Sequence, residues 1–140
     1  MIEAAATNRP VAALVAEAQR MRFIPQMLPG VPVLIAEFTV FNWMERLSAQ
    51  YAGGLWNYYE ISNGAFYMAP TGHGLMQLEW ADNYFSGELS EDAAGIVASL
   101  FALSHLSFQF SSNALADNYA RLLDYAYCHP EAVLIGRAID

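Results

Sequence analysis

Residues 53–70 leave the backbone few choices. Two runs rich in aromatic and β-favouring residues, Leu55–Ile61 and Ala65–Ala69, flank Ser62-Asn63-Gly64. Asn and Gly both tolerate positive φ, so Asn-Gly between such runs signals a tight turn. Gly53-Gly54 mark the entry and Pro70 the exit, and the stretch reads as a β-hairpin. Alternation puts Leu55, Asn57, Tyr59 and Ile61 on one face and Trp56, Tyr58 and Glu60 on the other. In the second arm Phe66 and Met68 oppose Ala65, Tyr67 and Ala69. Large apolar groups fall on both faces, so helices are expected to cover much of this sheet.

The rest of the chain is arranged around that hairpin. Thr71-Gly72-His73-Gly74 reads as a loop and Leu75–Trp80 as a third strand, with Met76, Leu78 and Trp80 inward. Ala81-Asp82-Asn83 reads as a turn and Tyr84–Glu88 as a short fourth strand. Strands joined this closely pair antiparallel. Upstream, residues 1–7 read as a loose start. Asn8 is placed to cap a helix beginning near Pro10, with Val11, Leu14, Val15 and Ala18 on one face. Pro25, Pro29, Gly30 and Pro32 end it in a stiff loop. A helix over about Val33–Ala49 is apolar round most of its circumference and is expected to sit deep.

Ser90 is a good cap for the next helix, with Glu91 and Asp92 where the helix dipole favours negative charge. This helix runs to about Phe110, and Ile96, Leu100, Leu106 and Phe108 are among the apolar residues that surround it, so it is the expected central helix. A helix over about Ala114–Tyr127 and a short one from His129-Pro130-Glu131 complete the chain. The expected fold is α+β: an antiparallel three- to four-stranded meander packed with about five helices. No linker is long enough to split residues 1–140, so one compact domain is expected.

Composition bounds the function. A chain of 140 residues buries roughly 70% of its unfolded surface and needs no disulfide or metal to fold. Cys128 stands alone, which excludes an internal disulfide and fits a reducing cytoplasm. The start lacks the basic-then-apolar pattern of a signal peptide. The longest uncharged stretch, Ala93–Ala116, carries too many polar residues for a membrane span. The charged fraction is only 14%, which leaves room for self-association as a homodimer beside the plainer reading of a large core.

The net charge is −8, and no Lys or Arg lies between Arg46 and Arg121. Direct nucleic-acid binding is disfavoured, because phosphate contacts need clustered bases. Mimicry of DNA fails on magnitude. A domain this size is roughly 35–40 Å across, and duplex DNA of that length carries about 20 charges. A local acidic surface is a different matter. Glu79, Asp82, Glu88, Glu91 and Asp92 fall within one short segment, readable either as a solvated sheet edge or as a contact surface for a basic partner.

Motifs for catalysis are absent. There is no phosphate loop, no C-x-x-C and no H-E-x-x-H. His73, in a glycine loop near Glu79 and Asp82, is either an exposed turn residue or a ligand or base. His105 is expected to be partly buried and hydrogen-bonded. Cys128 and His129 are neighbours, but adjacent helix residues do not face each other. No catalytic, cofactor-binding or metal-binding residue is assigned.

The run GGLWNYYEISNGAFYMAP at 53–70 resembles the signature of the ArdB/KlcA family of antirestriction proteins. The resemblance continues in Phe41–Ser48, in Ser90–Ile96 and in Ile135–Asp140, and covers nearly everything from about Arg20 on. It implies a compact α/β domain with no accepted catalytic residues. It implies protection of incoming plasmid or other mobile-element DNA, as in conjugation, from type I restriction-modification enzymes, without DNA mimicry. The matching Trp43, Gly54, Trp56, Ser62, Asn63, Gly64, Phe66, Tyr67 and Pro70 read as turn residues and buried aromatics. The expectation is therefore a non-enzymatic, cytoplasmic antirestriction protein with no cofactor. Its partner is expected to be a type I restriction component or an associated host protein. The expected working surface is Glu79, Asp82, Glu88, Glu91 and Asp92, with the doubly charged C-terminus at Asp140. The alternative is a small-molecule-binding or enzymatic domain with a pocket near His73 and Glu79.

Overall fold

A computed structural model describes residues 9–140. The expected loose start and the Asn8 cap lie outside the described residues. The elements in order are β1 (Ala12–Leu14), α1 (Arg20–Met27), α2 (Val33–Leu47), β2 (Trp56–Ile61), β3 (Phe66–Pro70), β4 (Leu75–Trp80), β5 (Phe85–Ser90), α3 (Glu91–Gln109), α4 (Asn113–Tyr127) and α5 (Ala132–Ile139).

The hairpin is β2–β3, antiparallel, with Trp56 opposite Pro70 and Glu60 opposite Phe66. Gly64 takes φ 95°, as the bend requires. Asn63 closes the turn by accepting from Ala65 N at 3.1 Å, and docks it by donating to Arg121 O at 2.9 Å. Every residue of β3 is buried, so helices do cover both of its faces.

The α+β class with five helices stands, but the strands divide into two sheets, β1-β2-β3 and β4-β5. The reason is α3. It lies against the outer edge of β3, where Ser99 Oγ accepts from Met68 N at 3.1 Å and reaches Met68 O at 3.3 Å. A serine hydroxyl thus replaces a neighbouring strand, and Gly95 lets the helix come close enough. A Cβ there would stand 2.4 Å from Met68 O. β4 is displaced into a separate hairpin, whose start is tied to α3 through Glu91 N donating to Gly74 O.

Two expectations at the N-terminal side are corrected. Residues 12–14 form a strand on β2, not a helix. Val15 N donates to Tyr58 O at 2.8 Å and Ser62 N to Val11 O at 2.8 Å; sheet pairing wins over a helix-compatible spacing. Pro25 lies within α1 rather than ending it. The carbonyl it leaves unpaired belongs to Met21, which is exposed and open to water.

α3 is the central helix, capped by Ser90 Oγ accepting from Ala93 N, with Ile96, Leu100 and Leu106 fully buried. Phe108 at its far end is exposed instead, because the helix outruns the core. α2 packs on α3 through Ala36, Val40, Met44 and Leu47. Trp43 stacks on Phe101 at 4.5 Å and meets Trp80 at 5.1 Å, joining α2, α3 and β4. Only one side of α2 is deep: Leu34, Ile35 and Phe38 remain exposed. Tyr58 donates to Glu37 and fixes this helix to the hairpin.

Candidate functional site

The outer face of the β4–β5 hairpin follows from the register. Gln77 opposes Glu88 and Glu79 opposes Ser86, so both glutamates project to the same exposed face, diagonal to each other. Gln77 Nε2 donates to Ser86 Oγ at 3.0 Å across it. Asp82 is exposed at the hairpin tip. Asn83 Nδ2 donates to Ala138 O at 2.7 Å, which brings the exposed Asp140 at the end of α5 to the same tip.

Glu91 and Asp92 behave differently. Glu91 Oε2 accepts from His73 N at 2.8 Å and Gly74 N at 3.2 Å, so this carboxylate holds the loop that links the two sheets. Asp92 accepts from Tyr67 Oη at 2.7 Å on one oxygen and from His129 Nε2 at 2.8 Å on the other. Burial pushes the Asp92 carboxyl up, but the His129 and Tyr67 hydrogen bonds outweigh it and hold the group below the usual carboxylate range. Both acids are half-buried and spent on internal bonds.

The Tyr67–Asp92–His129 network was not legible in the sequence. It joins β3, the first turn of α3 and the α4–α5 junction. Glu131 N donates to His129 Nδ1 at 3.0 Å. A backbone N–H can only donate, so Nδ1 is the acceptor and the proton sits on Nε2, which donates a hydrogen bond to the Asp92 carboxylate. Both ring nitrogens are occupied, and no free base remains. Tyr67 stacks between Tyr59 at 4.9 Å and Tyr125 at 5.7 Å. Burial first, then the Asp92 hydrogen bond and charge, push its phenol strongly up, so it stays protonated. Glu131 also accepts from Ser90 N at 2.8 Å and from Ser90 Oγ. The arrangement is a clamp on the start of α3.

His73 sits beside a cleft of about 310 Å³ lined also by Ser48, Gln50, Tyr51 and Leu75; Glu79 does not line it. His73 Nδ1 faces Thr71 O at 2.8 Å and its ring tilts onto Tyr51. The paired His73–Glu79 pocket is thus not assembled. His105 is exposed, its edge toward Trp43 at 6.4 Å, rather than buried and hydrogen-bonded. Cys128 is exposed. Among the described residues no group of His, Cys, Asp and Glu is arranged to hold a metal ion, and no helix is long and apolar enough to cross a membrane.

Comparison with known proteins gives concordant results. The profile of a family described as antirestriction protein matches residues 49–140. Two Escherichia coli proteins named antirestriction protein KlcA are 49% identical over 93% of this chain and 93% of the relative, and 45% identical over 95% and 97%. A solved structure superimposes with TM-score 0.86 at 47% identity, covering 94% of this chain and 95% of the other. It comes from work on KlcA and ArdB that describes a novel fold and antirestriction activity against type I DNA restriction systems in vivo but not in vitro.

Proposed function

This chain belongs to the antirestriction family of KlcA and ArdB, and from that membership we propose that it relieves type I restriction inside the cell, as one domain and without chemistry of its own. The observation that carries the reading is the shared fold at 47% identity over 94% of the chain, which extends well beyond the hairpin signature. The family is one of antirestriction proteins, not a known enzyme family. A non-catalytic mode is supported by the His129 and Asp92 geometry, in which every polar atom already has a partner.

The working surface we propose is the exposed acidic rim of Glu79, Asp82 and Glu88, with Asp140 at the same tip. Glu91 and Asp92 support it from within. The partner is a type I restriction component, or a host protein associated with one, met in the cytoplasm. The related structures' activity in vivo but not in vitro favours a partner that a purified restriction assay lacks. The net charge of −8 supports a basic protein face over nucleic acid. The test is the plating efficiency of unmodified phage on a type I-restricting host with and without the protein. Recovery of plating supports the reading, and no recovery refutes it.

A further inference from the structure

Where the hairpin tip meets α4 and α5, a cleft of about 530 Å³ opens, walled by Tyr84, Tyr119 and Tyr127. The geometry points to this cleft as the seat of an arginine or lysine side chain from the protein partner. The inference rests on the proposed antirestriction role and specifies the chemistry of its contact.

Tyr84 is 95% exposed, yet it holds the only positive φ of a non-glycine residue among the described residues, at 52°. Glycine or asparagine would sit there with less strain, and no packing holds the ring in place. Tyr127 is exposed on the facing helix. Both exposed phenol rings line the cleft, and the quadrupole of such a ring attracts a cation. The charges agree. Asp140 lines the cleft, and the exposed Asp82 and Asp124 adjoin lining residues in the chain. Burial above all pushes the Tyr119 phenol up, and the Asp140 carboxylate adds to it; of these groups Asp140 is the one that brings negative charge to the cleft at neutral pH. Arg137, the one base lining the cleft, is drawn over the Phe85 ring at 5.9 Å. An incoming base meets exposed tyrosine rings and the Asp140 carboxylate, with Arg137 as the one like charge in the cleft.

Two measurements decide it. In the phage-plating assay, Tyr84→Trp and Tyr84→Phe keep relief near wild type, because both retain a π face. Tyr84→Leu and Tyr84→Gly lower it, reflecting partner binding weakened roughly 3- to 30-fold. Tyr84→Gly also removes the backbone strain, so this variant melts no lower than wild type while losing function. Relief by Tyr84→Leu equal to wild type overturns the cleft and leaves the antirestriction role standing; absence of relief by the wild type is the separate failure of that role. Second, purified protein is titrated by NMR with acetyl-Arg-Leu-amide and with acetyl-Glu-Leu-amide. The arginine peptide alone should move the Tyr84, Tyr127 and Arg137 amides. No shifts there, or equal shifts with both peptides, overturn the inference.

Discussion

Replacing Gly95 by alanine probes the contact that splits the strands into two sheets. The added methyl would stand 2.4 Å from Met68 O and 2.5 Å from both Ala69 Cα and Cβ. The neighbours are buried backbone, so no flexible side chain can swing aside, and α3 must move off β3. Forcing a methyl into such a site costs about 1–3 kcal/mol. As α3 retreats, Ser99 loses its grip on Met68 N and O, and each buried group left unpaired costs about 1–3 kcal/mol more. Against this stands a helix-propensity gain of about 1 kcal/mol for glycine to alanine. The net expectation is a loss of roughly 2–8 kcal/mol, a large share of a typical 5–15 kcal/mol stability. Urea unfolding followed by tryptophan fluorescence reads it as a lower midpoint at unchanged slope. Gly136→Ala in α5 is the control. Nothing lies within 4 Å of its Cβ, so it should gain about 0.4–1 kcal/mol. A Gly95→Ala protein as stable as wild type would refute the account of how α3 closes the β3 edge.

Other perturbations follow the same logic. Asp92→Ala strands the buried Tyr67 hydroxyl and the His129 N–H, and should cost about 1–3 kcal/mol by urea unfolding. Because the Asp92 carboxyl is held low in the folded state, its contribution is complete above the ordinary carboxylate value of about 4. It fades as pH falls through the depressed folded value. Acid titration of stability should therefore be flatter in Asp92→Ala than in wild type. Asn63→Ala removes the turn closure and the dock onto Arg121 O, and should lower the melting temperature with a loss of about 1–2 kcal/mol. The triple change Glu79→Gln, Asp82→Asn, Glu88→Gln touches only exposed side chains; it should leave the melting temperature within a few degrees of wild type and reduce relief of restriction in phage plating.

Much of this fold was written in local pattern. The Asn63-Gly64 bend, the alternation of β4 and the Ser90 cap each depend on residues a few positions apart, and each forms as read. β1 was missed because Val11, Leu14 and Val15 also fit a helix face, and their strand state depends on β2, far along the chain. The break between β3 and β4 hangs on Ser99 and Gly95, which look like ordinary helix residues until the strand edge lies beneath them. The acids illustrate the same limit. Glu79, Asp82 and Glu88 are exposed as a charged strand edge should be, whereas Asp92 looks like a helix-dipole acid and is claimed by Tyr67 and His129 from distant segments. Tyr84 gave no signal either, since positive φ at a tyrosine arises only from how the hairpin tip closes.

As a member of the antirestriction family, this protein is expected to protect unmodified DNA in a living cell. The direct measurement is the number of plaques formed by unmodified phage on a type I-restricting strain, against an isogenic non-restricting strain, each with the protein expressed or absent. Expression should close most of the gap between the strains and leave the non-restricting host unchanged. An undiminished gap with folded protein present would contradict it.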